Sequence, residues 1–114
     1  MTTDDLIDRW QSPLYTGTLP DASCTGAGRN ESCGDIVAFD FKIEGGIIVA
    51  CRHTCKACVL TSAMADLFAE ALEGQTPNFV RTLDPFKIIG IPIGPTRRDC
   101  ILIVQRVVIG ALCP

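Results

Sequence analysis

The 114 residues contain no run of basic residues, no long apolar segment, no second C-x(2)-C pair and only one histidine. Each absence removes a class of function. The ten lysines and arginines are scattered along a chain of net charge -3, whereas a polyanion is held by basic side chains gathered on one surface, so no nucleic-acid partner is expected. Uninterrupted apolar stretches such as Ile101 to Val104 fall far short of the roughly 20 residues that cross a bilayer, so no membrane span is expected either. The opening "MTTDDLIDRW" is acidic where a secretory leader would be basic and then apolar, which points to a cytoplasmic chain. In that compartment thiols stay reduced. The seven cysteines, an odd number, are therefore expected to be thiols or metal ligands and not a disulfide framework. The length suits one domain spanning residues 1–114, and no internal repeat or low-complexity segment interrupts it.

Hydrophobic periodicity gives the elements. "DDLIDRW" at residues 4–10 forms a short helix with Leu6, Ile7 and Trp10 on one side, followed by a breaker-rich loop. "CTGAGRNESCGD" at 24–35 suits a short edge strand running into a turn at Cys33 and Gly34, its glycines giving a flexible approach to Cys33. From Ile36 to Ile43 the alternation of Val37, Phe39, Phe41 and Ile43 with polar residues marks a half-buried strand, and "EGG" at 44–46 turns it back into "IIVACRH" as a hairpin. A long amphipathic helix over about 57–73 follows. Its apolar pairs run from Val59 and Leu60 to Ala71 and Leu72, Thr61, Ser62, Asp66, Glu70 and Glu73 fall on the opposite side, and Gly74 is its C-terminal cap. The proline-rich stretch 75–95 predicts short helical turns and loops. "TRRD" at 96–99 reads as a capping box with Thr96 as N-cap, and the apolar spacing beyond it suits a helix or, given its β-branched residues, a buried strand.

The densest chemistry is "CRHTCKAC" at 51–58, three cysteines and the lone histidine in eight positions. Three thiolates at this spacing also hold the cluster of radical enzymes, but that chemistry needs a barrel that this chain is too short to build. A zinc knuckle needs a second closely spaced pair, which is missing. A site assembled from separate elements stays open, beside the reading of the cysteines as buried or incidental thiols. Cys58 and Cys100 both fall near predicted helix N-termini, where the positive end of the helix dipole favours a thiolate. Cys51 is expected to pack in the core, Cys24 and Cys113 to be incidental, and His53 to be a satisfied strand residue.

"SCGD" at 32–35, "GIIVACRHTCKAC" at 46–58, "EGQT" at 73–76 and "RRDCILI" at 97–103 resemble, in order and at similar separations, the motifs of the U-type iron-sulfur cluster scaffolds, the IscU and NifU N-terminal family. The opening "LIDRWQSPLYTGTLPDA" is also similar to that family's start, so the likeness covers nearly the whole chain. It implies an α+β fold, in which an antiparallel sheet of about three strands packs against the long helix and a C-terminal helix, with the metal site at one end. It implies a binding and transfer protein and not an enzyme. Sulfur would come from a cysteine desulfurase and iron from a separate donor, a transient [2Fe-2S] cluster would form, and acceptor apo-proteins would receive it. The chain would be a monomer or weak homo-oligomer. The ligands implied are Cys33, Cys58 and Cys100, with Asp35 as fourth ligand or as the group that keeps the cluster labile, and the same set would hold zinc when no cluster is present. Three departures stand out. Asp99 occupies the position before the third cysteine where many members have histidine, making it a candidate additional ligand beside Asp35. "IGPTR" at 93–97 stands in place of the Leu-Pro-Pro-Val-Lys stretch of members served by a dedicated chaperone. Cys55, placed on the loop after the second strand, has no family counterpart and is a candidate substitute ligand or persulfide relay. Two alternatives stand beside the scaffold: a zinc-bound sulfur acceptor like the SufU branch, although its long insertion between the second and third cysteines is absent here, and a redox dithiol formed by Cys55 and Cys58.

Overall fold

A computed structural model describes residues 1–31 and 34–113 of the chain. In order, α1 (Thr3–Gln11) precedes three strands, β1 (Cys24–Asn30), β2 (Asp35–Glu44) and β3 (Ile47–Lys56). After them come α2 (Val59–Leu72), a 3-10 turn at Pro77–Thr82, α3 (Pro85–Ile89), a second 3-10 turn at Pro95–Arg97, and α4 (Arg98–Leu112). The architecture is α+β, a three-stranded antiparallel sheet in the order β1-β2-β3 with helices on its inner face. Among the described residues no helix is long and apolar enough to cross a membrane.

The hairpin follows from its sequence. Val37, Phe39 and Phe41 alternate into the core of β2, and Ile48 and Cys51 enter it from β3. Gly45 and Gly46, at φ +58° and +77°, make the two-residue turn whose left-handed pair matches strand twist. On the other side of β2, β1 contains Gly26 and Gly28, and α4 lies directly on them. A Cβ at Gly26 would sit 2.8 Å from the Ala111 Cβ and 2.9 Å from the Val107 carbonyl, and one at Gly28 would sit 2.7 Å from the Val107 Cγ2. These glycines, expected to make the segment flexible, instead permit close packing of a helix on a strand.

Helix α2 is enclosed by α1, β3 and α4, and every residue from Ala63 to Ala69 is buried. The expected polar side is therefore only partly solvated. Glu70 and Ser62 lie outside the core, whereas Thr61 and Asp66, expected on that side, have no exposure. The helix ends as expected at Gly74, φ +90°, whose N–H donates to the Ile48 carbonyl at 2.7 Å and ties the end of α2 to β3. The C-terminal segment is helix, its β-branched residues Ile101, Val104 and Val108 fully buried against the sheet and α2. The expected capping box is not formed. Pro95 starts a 3-10 turn that takes up Thr96, so Arg97 becomes the N-cap with no side-chain bond, and Asp99 lies exposed 3.7 Å from Arg106.

Candidate metal centre

Three separate elements end at one place. Asp35 is the first residue of β2, Cys58 is the N-cap of α2, and Cys100 lies in the first turn of α4. A carboxylate oxygen of Asp35 and the Sγ atoms of Cys58 and Cys100 all lie within 4.8 Å of one another. Asp35 and Cys100 are buried while Cys58 is exposed, so the group opens to solvent on the Cys58 side.

Hydrogen bonds fix this arrangement. The Cys58 backbone N–H donates to Asp35 Oδ1 at 3.1 Å, setting the carboxylate against the start of α2, where unsatisfied N–H groups favour negative charge. The fully buried Thr61 hydroxyl stands between the donors: Asp35 Oδ2 and the Cys100 carbonyl are each 3.0 Å away and Cys58 Sγ is 3.3 Å away. Its one proton serves one acceptor at a time, and in its contact with Cys58 Sγ either atom can be the donor. Thr61 was not among the residues singled out in the sequence. The available signal was its position three residues after Cys58, which puts both on one face of α2.

The other candidates are placed as follows. Cys33 lies outside the described residues. Asp99 is on the exposed face of α4 beside Arg106 and does not join the group. Cys55 lies within β3, opposite Val37, and not on a loop, because pairing with β2 continues through Lys56. Its Sγ is 3.5 Å from His53 Nδ1, and burial first, then the charges of Asp35 and Asp66, push its thiol up to about 12. Cys51 packs in the core opposite Phe41, and burial raises its thiol further. Cys24 is half-buried and raised by burial, and Cys113 lies 3.6 Å from the Asn78 side chain.

His53 is buried, its Nε2 2.8 Å from Asp66 Oδ1. Asp66 also accepts from the Leu14 and Tyr15 N–H groups at 3.0 and 2.8 Å and from Arg9 at 3.0 Å. Burial alone would raise this carboxyl, but the bonds from Leu14, His53, Arg9 and Tyr15 outweigh it and hold the group below the usual carboxylate range. Through Asp66, α2 thus holds both α1 and the segment after it.

Two sulfurs and one carboxylate oxygen at this separation suit zinc or iron, since thiolates are the soft ligands of both and a carboxylate adds a harder, more exchangeable one. The structural likeness extends well beyond the site. A candidate iron-sulfur cluster assembly scaffold protein for the SUF system from Fervidobacterium islandicum superposes with a TM-score of 0.80 at 21% identity, over 97% of this chain and 96% of that one. That likeness is one of fold. In sequence, the chain is 31% identical over 75 residues to the iron-sulfur cluster assembly scaffold protein IscU of Thermotoga maritima, covering 66% of this chain and 53% of the relative. It is 24% identical over 70 residues to the zinc-dependent sulfurtransferase SufU of Bacillus subtilis, covering 61% and 47%. The chain thus spans about half the length of the curated relatives it matches. The family model of the NifU-like N-terminal domain matches residues 1–113. The chain belongs to that family, the U-type iron-sulfur cluster scaffolds.

Proposed function

We propose that this chain is a scaffold on which a [2Fe-2S] cluster is assembled from iron and desulfurase-derived sulfur and from which it passes to acceptor proteins. The supporting observation is the convergence of Asp35, Cys58 and Cys100 within 4.8 Å. In this reading Cys33, two residues before Asp35 in the sequence, completes the donor set. The cluster is cargo and not a resident cofactor, and the protein acts as carrier and not as catalyst. Exposure of Cys58 beside two buried donors suits that role: one side of the site can be reached by incoming sulfur and by an acceptor while the other stays anchored. Asp35, the single hard ligand, makes the fourth bond the weakest and the cluster releasable.

A second reading has its own support. The match to a zinc-dependent sulfurtransferase, together with this chain's own sulfur-rich group of Asp35, Cys58 and Cys100, favours a zinc-bound sulfur acceptor that assists a desulfurase. Anaerobic reconstitution with iron, cysteine and a desulfurase separates the two. The scaffold reading expects visible charge-transfer bands and near-stoichiometric iron and sulfide, lost in Cys33→Ala, Cys58→Ala and Cys100→Ala. Stoichiometric zinc that iron does not displace, with no bands, supports the acceptor. Cluster and zinc binding that survive all three substitutions would refute both.

A further inference from the structure

Beside the metal centre, a second set of reactive groups lines up between β3 and α2. Cys55 and His53 are two residues apart on β3 and so share a face. Cys55 Sγ lies 3.5 Å from His53 Nδ1, and His53 Nε2 lies 2.8 Å from Asp66 Oδ1. An ionised carboxylate only accepts, so the hydrogen bond to Asp66 places a proton on Nε2, and in the tautomer protonated there alone Nδ1 carries a lone pair facing the Cys55 thiol. Anchoring the N-terminal segment accounts for Asp66 and for Nε2, but not for the approach of Nδ1 to a thiol. Nor does it account for the opening: His53 and Cys55 line a cleft of about 160 Å³ with Trp10, Pro13, Thr16 and Ser62.

We propose that Cys55 is a second sulfur-accepting thiol, with His53 as its base and Asp66 orienting the imidazole, and that it takes sulfane sulfur from a persulfide donor reaching the Trp10 cleft. The inference rests on the scaffold reading, which requires sulfur to arrive as persulfide. In the transfer, His53 Nδ1 takes the Cys55 proton as Sγ attacks the outer sulfur of R–S–SH. The donor's S–S bond breaks, a Cys55 S–S bond forms, and the donor leaves as R–SH with the proton returned from His53. The products are Cys55–S–SH and R–SH, with no net oxidation or reduction. The same exchange hands the sulfur to Cys58, three residues along the chain. Because burial keeps Cys55 a thiol at rest, it reacts only when a base is in place.

The test uses glutathione persulfide as donor and peptide mass as readout. Trypsin cuts after Arg52 and Lys56, so Cys55 leaves in peptide 53–56 and Cys58 in peptide 57–81. Wild-type protein is expected to gain one sulfur on peptide 53–56 before it appears on 57–81. His53→Gln is expected to slow the Cys55 step about 100-fold, the lower end of what a general base supplies. Resistance of the fully buried Cys51 to alkylation certifies that the variant is folded. Should His53→Gln not fold, Cys55→Ala decides: it is expected to slow sulfur arrival at Cys58 while leaving cluster formation from iron and inorganic sulfide unchanged. The proposal is overturned if wild-type peptide 53–56 never gains sulfur, if folded His53→Gln reacts at the wild-type rate, or if Cys55→Ala abolishes sulfide-driven assembly, which would make Cys55 a ligand. If no cluster forms from any sulfur source, the scaffold reading fails, yet peptide 53–56 still reports on Cys55.

Discussion

Replacing Thr61 with valine tests whether the metal centre is organised from within α2. The two side chains are nearly isosteric, so the change removes one hydroxyl without opening a cavity. That hydroxyl has no exposure and lies 3.0 Å from both Asp35 Oδ2 and the Cys100 carbonyl. A hydrogen bond to a charged group contributes about 1.5–3 kcal/mol and one to a neutral group about 0.5–1.5, and the single proton serves one of them at a time. Asp35 retains the Cys58 N–H on its other oxygen, and the added methyl gains some apolar burial, so a net loss of about 2 kcal/mol is expected for the metal-free protein. For 114 residues that corresponds to about 8 °C in Tm. The effect on metal should be of similar size, because groups that orient ligands are worth about 10–100-fold in affinity, about 1.4–2.7 kcal/mol. Urea denaturation gives the first quantity, and competition of zinc against a coloured chelator gives the second. A variant destabilised as expected but binding zinc like wild type would show that Thr61 only ties α2 to α4. A variant unchanged in both would refute the geometry described for the hydroxyl.

Three further outcomes are expected. Cys58→Ala and Cys100→Ala should each lower zinc affinity by at least about tenfold while Cys51→Ala leaves it intact, since truncating a ligand acts on the metal directly and Cys51 lies in the core; chelator competition scores all three. Asp66 is held below the usual carboxylate range, so its stabilisation is complete above the unfolded value of about 3.9 and is lost as pH falls through the lower folded value. Asp66→Asn should therefore destabilise at neutral pH and flatten the loss of stability below about pH 4, and equal acid slopes in the two proteins would contradict this. Gly26→Ala, which in an open strand would stabilise by about 0.4–1 kcal/mol, should instead cost about 1–3 kcal/mol because its Cβ meets the Val107 carbonyl and Ala111; an unchanged denaturation midpoint would show that α4 does not lie on β1.

What could be read from the sequence was whatever depends on local pattern. Period-two alternation from Val37 to Phe41 gave β2, paired apolar residues gave α2, and glycines at 45, 46 and 74 gave the turn and the cap. Tertiary crowding changed the rest. Helix α2 has neighbours on three sides, so periodicity could not show that Thr61 and Asp66 are enclosed, and both became the organising polar groups of their surroundings. The glycines of β1 read locally as flexibility, because their role, the near approach of α4, depends on a helix distant in sequence. Cys55 was misplaced by one short stretch of pairing: β3 continues three residues beyond His53, which turns a loop thiol into a neighbour of the imidazole. Among the proposed ligands, motif order singled out Asp35, Cys58 and Cys100, but only the fold shows their donor atoms within reach of one ion.

The placement of the two buried polar residues on α2 has a consequence for the whole molecule. At its first turn, Thr61 joins α2 to Asp35 at the head of β2 and to Cys100 in α4; further along, Asp66 joins it to α1, the segment at Leu14 and Tyr15, and β3 through His53. A metal ion bound by Asp35, Cys58 and Cys100 would bridge the same three elements that Thr61 already connects. Binding there would add to the stability that these hydrogen bonds supply through mass action, about 2.7 kcal/mol at a metal concentration 100 times Kd. On the proposed reading, Asp35 would stay tied to α2 as cargo leaves, because the Cys58 N–H and the Thr61 hydroxyl hold its two oxygens independently of any bound ion.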